Sequence, residues 1–157
     1  MLKLILWGVG VSLVAGAVAV LYPRWRDMRD DGRSACLQTI RRASAACLLY
    51  SQDHDDRLPM AENWMDALKP LLDEPLRCSK LKSGYGYAYN DQYSSAALSS
   101  ARSATGILIF ESVKIGRNEH DAAESMPVPG RHRGRSFVAY TDSEDFAGRG
   151  WAMKIKR

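Results

Sequence analysis

The sequence predicts an α+β domain, a small antiparallel sheet wrapped against one helix, carried behind a single apolar segment. Three observations predict it. Residues Leu4 to Tyr22 carry no charge, residues Ser34 to about Ser51 repeat small and apolar residues at helical spacing, and every strand-like run comes later. Helix first and strands afterwards is the α+β order. The chain has 157 residues and a net charge of +4. After the apolar segment this is enough for one modest domain and not two. The composition is that of an ordinary globular domain, and the mild positive charge suits a membrane surface or an acidic polymer without specifying either.

The apolar segment, Leu2 to Pro23, is just long enough as a helix to cross a bilayer core. Its uncharged run exceeds a signal-peptide core, and only Lys3 precedes it, so a retained anchor over 1–23 is expected, with residues 24–157 as the globular domain. Gly8, Ser12 and Gly16 recur every four positions, the small-residue stripe that lets membrane helices approach closely. Tyr22, Arg24 and Trp25 surround Pro23, as residues at the headgroup level do. Arginines at 24, 26, 29 and 33 would by charge alone keep the domain inside.

From Ser34 to Ser51, Cys36, Ile40, Ala43, Cys47 and Tyr50 share one face, with Leu37, Ser44 and Leu48 beside it, so an amphipathic helix is expected. If Pro23 and Gly32 only bend the chain, one long helix runs from membrane to domain. The acidic run Asp53, Asp55, Asp56 and the following Pro59 end it; this run reads as a solvated loop, because it lacks calcium-loop spacing. Ala61 to Leu72 reads as a short second helix with Trp64, Leu68 and Leu71 on one side.

Tyr85, Tyr87 and Tyr89 alternate, which places three rings on one face of a strand. Such a row binds sugars or bases in some proteins and packs on a helix in more. Ser94 to Thr105 reads as a loop or frayed turn. Gly106 to Glu111 is the most apolar run after the anchor and is expected to be the central strand. Gly116 to Gly130 reads as irregular surface. Ser136 to Thr141 and Trp151 to Lys156 supply two further strands.

Three cysteines are an odd number. On one helix, Cys36 and Cys47 lie roughly 16 Å apart, too far for a disulfide. Either can pair with Cys78, or all three are buried free thiols.

Cys36-Leu37-Gln38-Thr39-Ile40 through Tyr50-Ser51-Gln52-Asp53 to Leu58-Pro59, then Trp64, Cys78-Ser79 and Tyr85-Gly86-Tyr87, resemble in order the motifs of a bacterial type IV pilin-like (pseudopilin-like) family. That family carries a C-terminal His-x9-Asp-Gly motif, and here His132 is followed after nine residues by Asp142. The resemblance covers most of the chain. It implies a type IV pilin-like fold, a long N-terminal helix half in the membrane and half packed on a small antiparallel sheet. It also implies a single-pass protein of the bacterial cytoplasmic membrane, with its N-terminus inside and its domain outside, on the periplasmic side. Three positions depart from it. The prepilin processing signature is missing, with Leu6 where the assembly glutamate belongs; Ser143 replaces the motif glycine; Ser79 replaces the proline that follows the cysteine.

Two functions follow as expectations. The first is a membrane-anchored pseudopilin-like structural or accessory subunit of a type IV pilus or type II secretion-like apparatus. Its partners are the bilayer and other pilin-like subunits or transmembrane helices. The alternative is a non-polymerising tethered module that binds polysaccharide or nucleic acid through the tyrosine row and the basic residues Arg131, Arg133 and Arg135. For the chain as a whole, nucleic acid is not the expected partner. No nucleophile motif such as Gly-x-Ser-x-Gly occurs, and neither enzymatic activity nor a cofactor is expected. His132 with Asp142, Glu144 and Asp145 reads as turn hydrogen bonding and capping in preference to a metal site.

Overall fold

The computed structural model describes residues 32–104 and 106–141 and the backbone of Trp151–Met153. Helix α1, Arg33–Asp53, starts behind Gly32, whose φ is 69°. It buries Cys36, Thr39, Ile40, Ala43, Cys47 and Ser51, the three- and four-residue spacing of one helical face. The helix stops where Asp55 and Asp56 take positive φ values of 51° and 61°. Short helical turns follow: Ala61–Asn63, helix α2 at Trp64–Leu68, and Lys69–Leu71.

Five strands form one sheet in the order β3-β1-β2-β4-β5. They are β1 Tyr87–Asn90, β2 Ile107–Glu111, β3 His120–Asp121, β4 Ser136–Tyr140 and β5 Trp151–Met153. The apolar run ending in Glu111 is thus the middle strand, as expected. It pairs antiparallel with β1, Tyr87 opposite Glu111 and Tyr89 opposite Ile109. On its other side it pairs antiparallel with β4, Phe110 opposite Val138. One sheet face presents Tyr87, Tyr89, Ile109, Phe137 and Ala139 to the main core, where α1 packs with Trp64 and Leu68. The other face, Ala88, Phe110 and Val138, is covered by Ala123 and Met126 from the 122–130 segment.

The expected pilin-like architecture is corrected in two respects. The sheet is mixed and not antiparallel, because β3 runs parallel to β1, Tyr89 opposite His120 and Asn90 opposite Asp121. The described N-terminal helix is not a long membrane-to-domain helix; it has 21 residues. No helix among the described residues is long and apolar enough to cross a membrane, which stands against the expected transmembrane, single-pass placement in a cytoplasmic membrane. The 1–23 segment with Gly8, Ser12 and Gly16, on which that expectation rested, lies outside the described residues.

Two further elements differ from expectation. Leu98–Ala104 is a helix, α3, where a loop was expected. Asp56 starts it: its carboxylate accepts from the Ser99 amide at 3.2 Å and the Ser99 hydroxyl at 2.7 Å, and its carbonyl from the Leu98 amide at 2.7 Å. The expected irregular stretch contains β3, and Asn118 beside it accepts from the Met65 amide at 2.8 Å, so two distant segments hold each other.

Candidate functional site

Four buried side chains able to ligate a metal or titrate meet where the start of α1 faces the sheet. Cys36 comes from the first turn of α1, Cys78 from the loop before β1, Glu111 from the end of β2, and His132 from the turn before β4. All four are buried, with Cys36, Glu111 and His132 at 0% exposure. One ligating atom from each lies within 4.8 Å of the other three. Cys36 Sγ is 3.2 Å from Cys78 Sγ, and both are free thiols. The same sulfur is 3.2 Å from Ser79 Oγ, which is exposed and donates to the Gly32 carbonyl at 3.1 Å.

His132 sits in a tight turn, its amide donating to the Arg135 carbonyl at 2.9 Å and the Gly134 amide closing on the Gly130 carbonyl at 3.0 Å. Its Nε2 is 2.8 Å from Glu111 Oε1. Glu111 Oε2 accepts from the Phe137 amide at 3.1 Å, so both oxygens of the carboxylate are in use. The ring packs 4.8 Å from that of Phe137. His132 Nδ1 has no hydrogen-bond partner among the described residues, a costly arrangement for a buried polar atom.

The charges of the cluster are coupled. Donation by the Cys78 thiol, helped by His132 and Ser79, pulls Cys36 well below the ordinary thiol range and outweighs its burial. Cys78 is pushed up, first by that same bond and then by burial. Burial lowers His132, but contact with Cys36 and Glu111 prevails and raises it to about 9. The arrangement is a pair of sulfurs beside a histidine–carboxylate pair, with the proton held more loosely on Cys36 than on Cys78, closed off from solvent. Two sulfurs, an imidazole and a carboxylate are also the donor set of a zinc-type metal site.

Sequence reasoning singled out three of these four residues for other reasons. The His-x9-Asp spacing pairs His132 with Asp142, which lies outside the described residues together with Glu144 and Asp145. The partner that the fold supplies is Glu111, which sequence reasoning missed. The signal was present in the sequence, since a carboxylate closing the most apolar strand must be paired if buried.

The remaining motif residues serve the fold. Trp64 is buried and donates from Nε1 to the Glu119 carbonyl at 3.0 Å. Pro59 is buried, and its carbonyl accepts from the Ser95 amide at 3.2 Å. Asp53 is exposed at the end of α1. Tyr85 is half-buried under the Arg77 guanidinium, 5.6 Å from the ring centre.

The expected ligand-binding surface is not assembled. Tyr87 and Tyr89 are 1% and 0% exposed, their hydroxyls donating to the Cys36 carbonyl at 3.4 Å and the Tyr93 carbonyl at 3.3 Å. Arg131 turns inward to the carbonyls of Gly86 and Ser112; only Arg133 and Arg135 of the basic run are exposed. Cys47 is buried away from the cluster, its thiol pushed up by desolvation. No protein-family model matches the chain, and neither a curated protein nor a solved structure does.

Proposed function

We propose that this chain is a non-catalytic structural or accessory subunit of a pilus- or secretion-type assembly, the role that its resemblance to pseudopilin-like proteins implies. The observation that carries the reading is where the motif residues go. Cys36, Pro59, Trp64, Cys78 and His132 are all buried and joined to backbone or to one another, so they are spent on holding a helix to a sheet. The thiol–imidazole pair is closed to any substrate. A surface cavity of about 270 Å³ between Met65, Leu72, Leu76 and Tyr85 is lined by no histidine, cysteine or serine. A binding module for polyanions or glycans is the weaker reading, because Tyr87 and Tyr89 of its aromatic row are buried and its first arginine turns inward to backbone carbonyls.

An assembling subunit needs a face for its neighbour. Gln38, Arg41, Ala45 and Leu49 form an exposed stripe along α1, Leu49 at 48% exposure, opposite the face that packs on the sheet. The test is cross-linking in cells. Because all three native cysteines are buried, Ala45→Cys introduces one reactive thiol on this stripe, and Lys82→Cys introduces one on an exposed loop. Cross-linked species with a second copy or a partner subunit are expected for Ala45→Cys and absent for Lys82→Cys. If Ala45→Cys gives no adduct in cells where the chain is abundant and folded, the subunit reading is wrong.

A further inference from the structure

We infer that Cys36, Cys78 and His132 form a structural site for a thiophilic divalent ion, zinc being the type, with Glu111 as the residue that positions the histidine ring. Sulfur and imidazole donors in one cluster select ions of this class over magnesium or calcium, which take oxygen ligands. Zinc–sulfur bonds of about 2.3 Å and zinc–nitrogen bonds of about 2.0–2.1 Å set ligand-to-ligand separations of roughly 3.3–3.8 Å. The sulfurs stand 3.2 Å apart, and one ligating atom from each of Cys36, Cys78, Glu111 and His132 lies within 4.8 Å of the other three. Small side-chain adjustments bring this set into tetrahedral range.

The histidine distinguishes a metal site from a simple pair of thiols. Nε2 is committed to Glu111, and Nδ1 is buried without a partner. A carboxylate on one ring nitrogen with the other nitrogen left for the ion is the usual outer-shell arrangement around histidine ligands, where it fixes the tautomer and raises ligand basicity. A disulfide between Cys36 and Cys78 would leave Nδ1 unsatisfied in the core; an ion bound to the two sulfurs and Nδ1 satisfies it. As thiolates, the two cysteines neutralise the dication; the thiol protons and the Nδ1 proton of His132 leave to solvent when the ion binds.

Burial sets the role. Ligands at 0–2% exposure leave no room for a substrate, which marks the site as structural. The exposed Ser79 beside Cys36 is the edge through which an ion enters. Bound there, the ion joins the start of α1, the loop before β1 and the turn before β4, adding to the Ser79–Gly32 and Arg131–Gly86 hydrogen bonds between these segments, which lie far apart in sequence.

The test uses the full chain, reduced and stripped of metal, then titrated with Zn²⁺ and, for spectroscopy, with Co²⁺. One equivalent of Zn²⁺ bound and a raised melting temperature are expected. The Co²⁺ form should show sulfur-to-cobalt charge transfer and tetrahedral ligand-field bands. Cys36→Ser and Cys78→Ser should each weaken Zn²⁺ binding at least 100-fold, Glu111→Gln about 10–100-fold, and Cys47→Ala not at all. If the cysteine variants do not fold, the Co²⁺ spectrum of Cys47→Ala still decides, since its thiolate absorption then comes only from Cys36 and Cys78. A folded chain that binds no Zn²⁺, a Co²⁺ spectrum without sulfur charge transfer, or protein isolated metal-free with Cys36 and Cys78 joined as a disulfide would overturn the site.

Discussion

Glu111 Oε1 stands 2.8 Å from His132 Nε2, and neither side chain has any solvent exposure. The pair ties the end of the central strand to the turn before β4, and the second oxygen of Glu111 holds the Phe137 amide. Replacing the carboxylate by alanine removes both acceptors and leaves a buried imidazole and a buried amide without partners. Glu111→Ala should therefore destabilise the metal-free chain by about 3–5 kcal/mol, the cost of breaking a buried pair from one side. Glu111→Gln keeps one acceptor and should cost about 1–3 kcal/mol. Urea denaturation orders the three proteins; equal midpoints for wild type and Glu111→Ala would remove the pair from any structural role.

Gly86 is the second point where the fold leaves no freedom. Its φ is 74°, and a Cβ there would run into Leu81 Cδ1 and come within 2.9 Å of Arg131 Nη1. Gly86→Ala thus incurs left-handed strain of about 1–2 kcal/mol, and it pushes aside the ends of Leu81 and Arg131, which disturbs the Arg131 donation to the Gly86 carbonyl. Gly134, at φ 79° with nothing within 4 Å of its notional Cβ, isolates the first contribution. Thermal melts should show Gly86→Ala falling well below Gly134→Ala. Matching melting temperatures would mean that the close approach at Gly86 costs nothing.

What was legible in the sequence was periodic. The buried face of α1 follows from Cys36, Ile40, Ala43 and Cys47, and the central strand from the apolar run before Glu111, because burial writes itself into local spacing. What was not legible depends on partners distant in the chain. The Glu111–His132 contact joins the end of β2 to the turn before β4, and nothing in the neighbourhood of either names the other. The α3 helix is started by Asp56, more than forty residues upstream, so its own small, polar sequence read as a loop. The parallel pairing of β3 involves two residues, too few for any period to show, and it made the sheet mixed where an antiparallel one was expected. The His-x9-Asp spacing drew His132 toward Asp142 and away from Glu111.

Asp56 makes the pH dependence testable. Its carboxyl is held below its ordinary value of 3.8, chiefly by the Ser99 hydroxyl and amide that it accepts from, with Arg102 nearby adding to the effect. A carboxylate depressed in the folded state contributes stability above the unfolded-state value, and that contribution is lost as pH falls through the folded-state value. Asp56→Ala should lower the melting temperature at neutral pH by removing the cap of α3. The gap between variant and wild type should narrow as pH drops below about 4. A gap that stays constant down to acid pH would show that charge on Asp56 contributes nothing to the cap.

The basic run 131–135 divides by direction. Arg131 Nη1 donates to the Gly86 carbonyl at 2.9 Å and Nη2 donates to the Ser112 carbonyl, which bridges the start of β1 to the end of β2. Arg133 and Arg135 point to solvent. Arg131→Ala takes a donor from both carbonyls, leaving that of Ser112 without it while that of Gly86 still accepts from the Ser112 amide at 2.9 Å, and should cost about 1–3 kcal/mol; Arg131→Lys should recover only part of this, since an ammonium lacks the planar fork that reaches both oxygens. Arg133→Ala and Arg135→Ala should stay within about 0.5 kcal/mol of wild type. Chemical denaturation of the four variants separates the two kinds of arginine. A neutral Arg131→Ala together with a damaging Arg133→Ala would reverse the assignment, making the run a surface feature whose inward member is incidental.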